Sequence, residues 1–125
     1  MKRAAIISLT ALGLLGIASA GLAVTPKPPD VSTRGAGSVG TSSARLNGTV
    51  NPNGQSTSWY FEFGTSTGYG TRTATRNAGA GTRGVDVQMT ISGLAVATTY
   101  HYRLVGVNEQ GTSFGQDVVL TTADR

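Results

Sequence analysis

The chain has 125 residues, no cysteine, 18 glycines and only 13% charged residues, about half the charged share of an ordinary soluble protein. This length accommodates one domain, and the lack of cysteine excludes disulfides, thiolate catalysis and cysteine-based zinc sites. The formal charge of +4 is a weak sign of nucleic-acid binding, because Lys2 and Arg3 lie in a segment that we expect to be removed. Without these two residues the charge is +2. The eight remaining basic residues are scattered singly against six acidic ones, whereas a phosphate backbone requires a basic cluster.

The first 23 residues have the three-part layout of a secretory signal peptide. A basic start at Lys2 and Arg3 precedes an apolar run over residues 4–23, and small residues suited to cleavage precede Ala20 and Ala23. We expect a helical signal segment that is cleaved after one of these alanines. The alternative is an uncleaved anchor, because about 20 apolar residues can just span a bilayer. In both cases the basic start stays on the cytoplasmic side and the following domain lies on the outer side of the membrane.

A proline-rich segment follows at residues 24–29. Its three prolines, Pro26, Pro28 and Pro29, favour an extended chain and exclude a helix. We expect this segment to be a linker that holds the domain away from the cleavage site or the membrane.

From residue 44 onward, apolar and polar residues alternate with a period of two, which predicts half-buried strands. Turn signals separate the strands, the strongest at residues 51–54. A short polar edge strand is predicted over residues 71–76 and a last strand over residues 113–122. The residues predicted to face the core are Ala44, Leu46, Gly48, Val50, Trp59, Phe61, Phe63, Val85, Val87, Met89, Ile91, Tyr100, Tyr102 and Leu104. Short strands at this spacing, with no helical period after residue 24, indicate an all-β sandwich or barrel.

Two segments resemble a known family. Residues 91–111 are similar to the fibronectin type III signature, in which a Leu six residues before a Tyr (here Leu94 and Tyr100) introduces the sixth strand. Residues 44–54 and 59–65 resemble the variant of this domain found in bacterial exported and surface proteins. The resemblance implies an immunoglobulin-like, seven-stranded sandwich over residues 30–123. It also implies a tyrosine corner, in which the Tyr100 hydroxyl bonds to the backbone a few residues upstream.

The motifs that could carry catalysis or a cofactor are weak. The pattern G-x-G-x-x-G occurs at Gly35-Gly37-Gly40 and at Gly79-Gly81-Gly84, but neither copy opens a helix, so both are expected to be loops. His101 is the only histidine and the six acids are dispersed, so neither a metal cluster nor a carboxylate pair is predicted. We expect no enzyme activity and no cofactor.

One surface is a candidate for binding. Tyr60 and Glu62 point outward from one predicted strand, and His101 and Arg103 point outward from its neighbour in the usual strand order. Tyr and Arg are enriched at binding hot spots. The alternative is that these residues only stabilise the sheet as cross-strand pairs, Glu62 with Arg103 and Tyr60 with His101.

The sequence therefore favours an exported, non-enzymatic structural or protein-interaction module of the fibronectin type III type, secreted or at the cell surface. The alternative is a small domain that binds carbohydrate or cell-wall polysaccharide through exposed aromatic rings. Of the three aromatic residues eligible for this, Tyr60 and Phe114 are expected on the surface, whereas Tyr69 is expected to pack inward. A third possibility is that the domain is a remnant of a longer multidomain protein.

Overall fold

The computed structural model describes residues 25–125, and all regular elements in that range are strands. They are β1 (Asp30–Gly37), β2 (Ala44–Asn51), β3 (Thr57–Gly64), β4 (Thr71–Arg72), β5 (Arg76–Gly79), β6 (Val85–Ile91), β7 (Thr99–Asn108), β8 (Gly111–Phe114) and β9 (Val118–Thr121). Within this range no helix has the length and apolar character that a membrane crossing requires. The expected signal segment over residues 1–23 lies outside the described residues.

The strands form two antiparallel sheets. The smaller sheet has the order β1-β2-β6, and the larger has the order β9-β7-β3-β4, with β5 also on β3 and β8 also on β7. Since β4 and β5 share one side of β3, and β8 and β9 share one side of β7, the nine segments fill seven strand positions. The predicted all-β, seven-stranded sandwich is confirmed.

The core lies between the sheets and follows the predicted alternation. Its buried members are Ala44, Leu46, Val50, Trp59, Phe61, Val87, Ile91, Leu94, Tyr102, Leu104 and Leu120. The ring of Phe61 makes edge-on contacts with Trp59 at 5.8 Å and with Tyr102 at 6.3 Å between centroids. The Tyr102 hydroxyl donates a hydrogen bond to the carbonyl of Arg34 and so ties the two sheets together.

Two valines differ from the predicted pattern. Val85 was expected inside but is 38% exposed, because it is the first residue of β6, an edge strand that pairs only with β2 among the described residues. Val105 falls on the outer face of the larger sheet, yet it is fully buried. Its neighbours across the sheet are Tyr60 on one side and Phe114 on the other, and large aromatic side chains in these positions shield it from solvent.

Strand β1 has no apolar alternation, so the pattern did not reveal it. Its buried residue is Thr33, whose hydroxyl accepts a hydrogen bond from the backbone N–H of Leu104 at 3.0 Å. The expectation that Gly35 and Gly37 lie in a loop is wrong: both belong to β1, where the pairing with β2 shifts between Arg34 and Gly37.

Part of the expected linker is packed on the domain. Pro29 is fully buried, and the carbonyls of Lys27 and Pro28 accept hydrogen bonds from the side-chain amides of Asn108 (2.9 Å) and Asn53 (2.8 Å). Because both asparagines are more than nine-tenths buried, these bonds satisfy polar groups that have little access to water. We therefore expect the folded unit to begin before residue 30.

Two predicted strands are interrupted. Residues 71–76 form β4 and the start of β5, with a break at residues 73–75. In this break the hydroxyl of Thr73 accepts a hydrogen bond from the N–H of Phe61 at 2.9 Å. The predicted last strand is divided into β8 and β9 at Gly115–Asp117. There the Gln116 amide makes two hydrogen bonds to the backbone of Thr33, at 3.0 Å and 2.8 Å, and spans the gap between the sheets.

Candidate functional site

The outer face of the larger sheet brings together most of the residues predicted for binding. Glu62 of β3 lies directly opposite Arg103 of β7. Tyr60 lies opposite Val105, whereas His101 lies opposite Gly64. The expected Glu62–Arg103 pair therefore exists, but the expected Tyr60–His101 pair is wrong, because the register places these two side chains four positions apart along β7.

Arg103 is held on three sides. Its Nε donates a hydrogen bond to Oε1 of Glu62 at 2.8 Å. Its guanidinium carbon lies 4.7 Å from the ring centre of Tyr69 and 4.2 Å from that of Phe114. Both distances are within the range of cation–π attraction. The side chain, about 30% exposed, is thus fixed in one position while part of it faces solvent.

Tyr69 was expected to pack inward, and this expectation is wrong. Its hydroxyl donates a hydrogen bond to Oδ1 of Asp117 at 2.9 Å on the outer face. The residue has a φ of 56°, in the left-handed region, and the loop turns back over the end of β3. An added Cβ at Gly64 would overlap the carbonyl of Tyr69, so only glycine allows this close approach.

Asp117 joins Tyr69 to His101. Its Oδ2 accepts a hydrogen bond from Nδ1 of His101 at 2.9 Å. Burial acts to raise the pKa of Asp117, but the hydrogen bonds from His101 and Tyr69 outweigh it and hold the pKa below its ordinary value. Burial and the bond to Asp117 raise the pKa of Tyr69.

A second arginine–aromatic contact borders this network. The guanidinium carbon of Arg72 lies 4.2 Å from the ring centre of Tyr60. Phe114 is 53% exposed and Val119 is 52% exposed, so apolar surface adjoins the charges. We name this surface the Arg103 face; its residues are Tyr60, Glu62, Tyr69, Arg72, His101, Arg103, Phe114, Asp117 and Val119.

Sequence reasoning missed five of these residues as members of the face. Tyr69 and Asp117 lie in irregular segments, where strand parity gives no direction for a side chain. The sequence feature that could have indicated the position of Tyr69 is the group of glycines at 64, 68 and 70. Closely spaced glycines allow a tight loop to fold onto the sheet.

The Tyr100 hydroxyl accepts a hydrogen bond from the backbone N–H of Ala95 at 2.8 Å, five residues upstream. Leu94 is 7% exposed and belongs to the core. These contacts secure the loop that joins the two sheets.

The site has a limited chemical repertoire. Asp117 binds Nδ1 of His101 as in a catalytic triad, but in residues 25–125 no hydroxyl is hydrogen-bonded to the other ring nitrogen. The described residues contain no group of three or more His, Asp or Glu that could hold a metal ion. The second glycine motif ends β5 at Gly79 and continues through a turn into β6, without a helix to bind a phosphate.

No protein-family model and no curated protein sequence matches the chain. Among solved structures, the sensor domain of the anti-sigma factor RsgI4 from Pseudobacteroides cellulosolvens is similar with a TM-score of 0.62 and 15% identity, over 81% of this chain and 100% of that one. A solution structure of the same sensor domain has a TM-score of 0.59 and 16% identity, over 75% and 74% of the two chains.

A human domain extends the comparison. The fibronectin type III domain of human fibronectin type III domain containing protein 3 is similar with a TM-score of 0.50 and 19% identity, over 84% of this chain and 94% of that one. At these identities the likeness shows the fold. The resemblance stated from Leu94, Tyr100 and the neighbouring motifs is thereby confirmed, and the chain is an all-β sandwich with a fibronectin type III-like fold.

Proposed function

We propose that the chain is an exported binding module whose Arg103 face contacts a protein outside the cytoplasmic membrane. The observation that carries this proposal is the position of Arg103, stacked between Tyr69 and Phe114 and bonded to Glu62. A cation held in this way loses little side-chain entropy on binding, which is the cost that usually offsets the contacts of a long side chain.

The composition of the face supports a protein partner. Arg, Tyr and Phe are the residue types enriched at protein interfaces, and Phe114 and Val119 offer apolar area beside them. Within the face, Glu62 bonds to Arg103 and Asp117 bonds to His101, so a partner with both apolar and polar groups fits it better than a highly charged polymer.

Export and surface location rest on the signal-like segment of residues 1–23. A sensor domain of an anti-sigma factor shares the fold, and its description is compatible with a sandwich that recognises a ligand. Both observations support the proposal of an extracytoplasmic interaction module.

Polysaccharide binding is the competing hypothesis. Sugar rings stack on free aromatic faces, and Tyr60 and Phe114 flank Val105 in one row of the sheet. However, Arg72 lies over the Tyr60 ring and Arg103 over the Phe114 ring. Because each ring already has a cation on one face, this geometry favours the protein partner.

The test is a crosslinking pull-down with the native chain, followed by binding measurements on the captured protein. Tyr60→Ala and Arg103→Ala should weaken binding by about tenfold or more, as truncation of an interface anchor does. Arg34→Ala, which removes an exposed arginine from the other sheet, is the matched control and should leave binding unchanged. Equal binding by all three variants would contradict the proposal. Retention on insoluble glycans but not on protein would instead favour the polysaccharide hypothesis.

A further inference from the structure

Within residues 25–125 the two sheets have four edges, and three of them are blocked against pairing with another chain. The edge formed by β4 and β5 is broken at residues 73–75, and the edge formed by β8 and β9 is broken at Gly115–Asp117. The β1 edge has a register shift, and the Gln116 amide occupies both backbone groups of Thr33 there. Interruptions of this kind are the usual protection of sheet edges.

The fourth edge is β6, and it has no such protection. Val85–Ile91 runs for seven residues without a proline, a lysine, a bulge or a break. In residues 25–125 it pairs with β2 alone, so its second row of backbone N–H and C=O groups faces away from the sheet. An uninterrupted open strand of this length is a template for strand addition.

We propose that β6 pairs antiparallel with β6 of a second copy of this chain, which joins two three-stranded sheets into one of six strands. The sequence of the strand is complementary to itself in one register. When Gln88 lies on the two-fold axis, all seven residues pair, with Asp86 opposite Thr90 of the second copy and Val87 opposite Met89.

The charges select this register. Asp86 is the only charged residue of β6, and in the full-length register it faces a threonine in the second copy. A register centred on Asp86 would place two carboxylates opposite each other and would leave residues unpaired. Val85, 38% exposed in the single chain, would gain Ile91 of the second copy as its cross-strand neighbour. A two-fold axis perpendicular to the sheet keeps both buried faces on the same side, as an isologous dimer requires.

The contact is small, so the dimer should be weak. The core described above lies within residues 25–125, and this part of the chain can be studied by sedimentation equilibrium from about 10 µM to about 1 mM, the range in which weak dimers dissociate. We expect the average mass to rise toward that of a dimer over this range. A chain that stays monomeric throughout would overturn the proposal. The β6 edge would then be open to pairing with an extended segment of another protein.

Two exposed positions test the register. Gln88→Lys places two lysines at the axis and should weaken the dimer by about threefold or more, whereas Thr90→Lys places a lysine opposite Asp86 twice and should strengthen it by about threefold to tenfold at low salt. The gain should disappear at high salt, because exposed ion pairs are screened. Thr112→Lys, on the exposed side of β8, is the control and should change nothing. If both β6 variants behave like Thr112→Lys, the dimer forms elsewhere and the proposal is wrong.

Discussion

The imidazole of His101 donates a hydrogen bond to Oδ2 of Asp117 at 2.9 Å, and the other oxygen of the same carboxylate accepts a hydrogen bond from the hydroxyl of Tyr69. Asp117 lies in the break between β8 and β9, and Tyr69 lies in the loop after β3. This carboxylate therefore ties two irregular segments to the start of β7, and the conformation of the Arg103 face depends on it.

The lowered pKa of Asp117 predicts an acid-sensitive contribution to stability. Because the folded pKa lies below the unfolded one, the contribution is present above the ordinary carboxyl pKa of about 4 and is lost as the pH falls through the folded value. Asp117→Asn should remove it. Since the side chain is about a third exposed, we expect an effect under about 1 kcal/mol. Urea unfolding from pH 2 to pH 6 measures it, and parallel curves for the two proteins would contradict the prediction.

Tyr102 predicts a loss of stability at high pH. Burial raises the pKa of its phenol to about 12, so between pH 10 and pH 12 the unfolded chain loses a proton that the folded chain keeps, and the free energy of unfolding falls as the pH rises. Two pH units correspond to about 2 to 3 kcal/mol. Tyr102→Phe should flatten this dependence, and at pH 7 it should cost about 1 kcal/mol from the lost bond to Arg34.

The measurement is urea unfolding from pH 7 to pH 12 for both proteins. Tyr60→Phe, which changes a partly exposed tyrosine, is the control and should retain the alkaline loss. An equally steep decline in Tyr102→Phe would show that another group is responsible.

The loop that carries Tyr69 depends on Gly64. In Gly64→Ala the added methyl group meets the carbonyl of Tyr69, so the loop must move. We expect a loss of about 1 to 3 kcal/mol in the free energy of unfolding, together with a return of the Tyr69 pKa toward its ordinary value as the bond to Asp117 breaks. Gly68→Ala is the control, because an added Cβ there meets only Ser66 Oγ at 3.4 Å. NMR titration of labelled tyrosines reports the pKa, and an unchanged Tyr69 signal would refute the role of Gly64.

The packed proline segment predicts where the folded unit begins. A chain that starts at residue 30 loses the buried Pro29 and leaves the buried amides of Asn53 and Asn108 without their partners. We expect it to be less stable than residues 25–125 by about 1 to 3 kcal/mol. A chain that starts at residue 27 retains these contacts and should match residues 25–125. Equal urea midpoints for all three would mean that the segment is only a linker.

The strands that were predicted from the sequence are those with large apolar residues at alternate positions, such as Trp59 and Phe61 in β3. The alternation of apolar and polar residues identifies such a strand, because one of its faces is buried in the core. Strand β1 was missed because a hydroxyl at Thr33 takes the place of an apolar side chain and is satisfied by Leu104 N–H. The sequence carries no periodic sign of such a contact.

The sequence predicted only those residues of the candidate site whose direction follows from the alternation of side chains along a strand. Parity places Glu62 and Arg103 on one outer face, and the resemblance makes their strands neighbours. Neither the alternation nor the resemblance sets the register between these strands, so Tyr60 was paired with the wrong residue. Tyr69 and Asp117 were beyond reach, because their positions depend on a left-handed backbone conformation and on a strand break that tertiary contacts create.

The most direct test of the Arg103 face is photo-crosslinking from a single position within it. A photoreactive phenylalanine analogue at Phe114, which is 53% exposed, should capture the partner on the cell surface or in the surrounding medium. The same analogue at Val96, which is 55% exposed in the loop before β7, should not. The proposal predicts a crosslinked protein from position 114 that disappears when Arg103→Ala is added. Crosslinks from position 96 alone, or equal crosslinks from both positions, would contradict it.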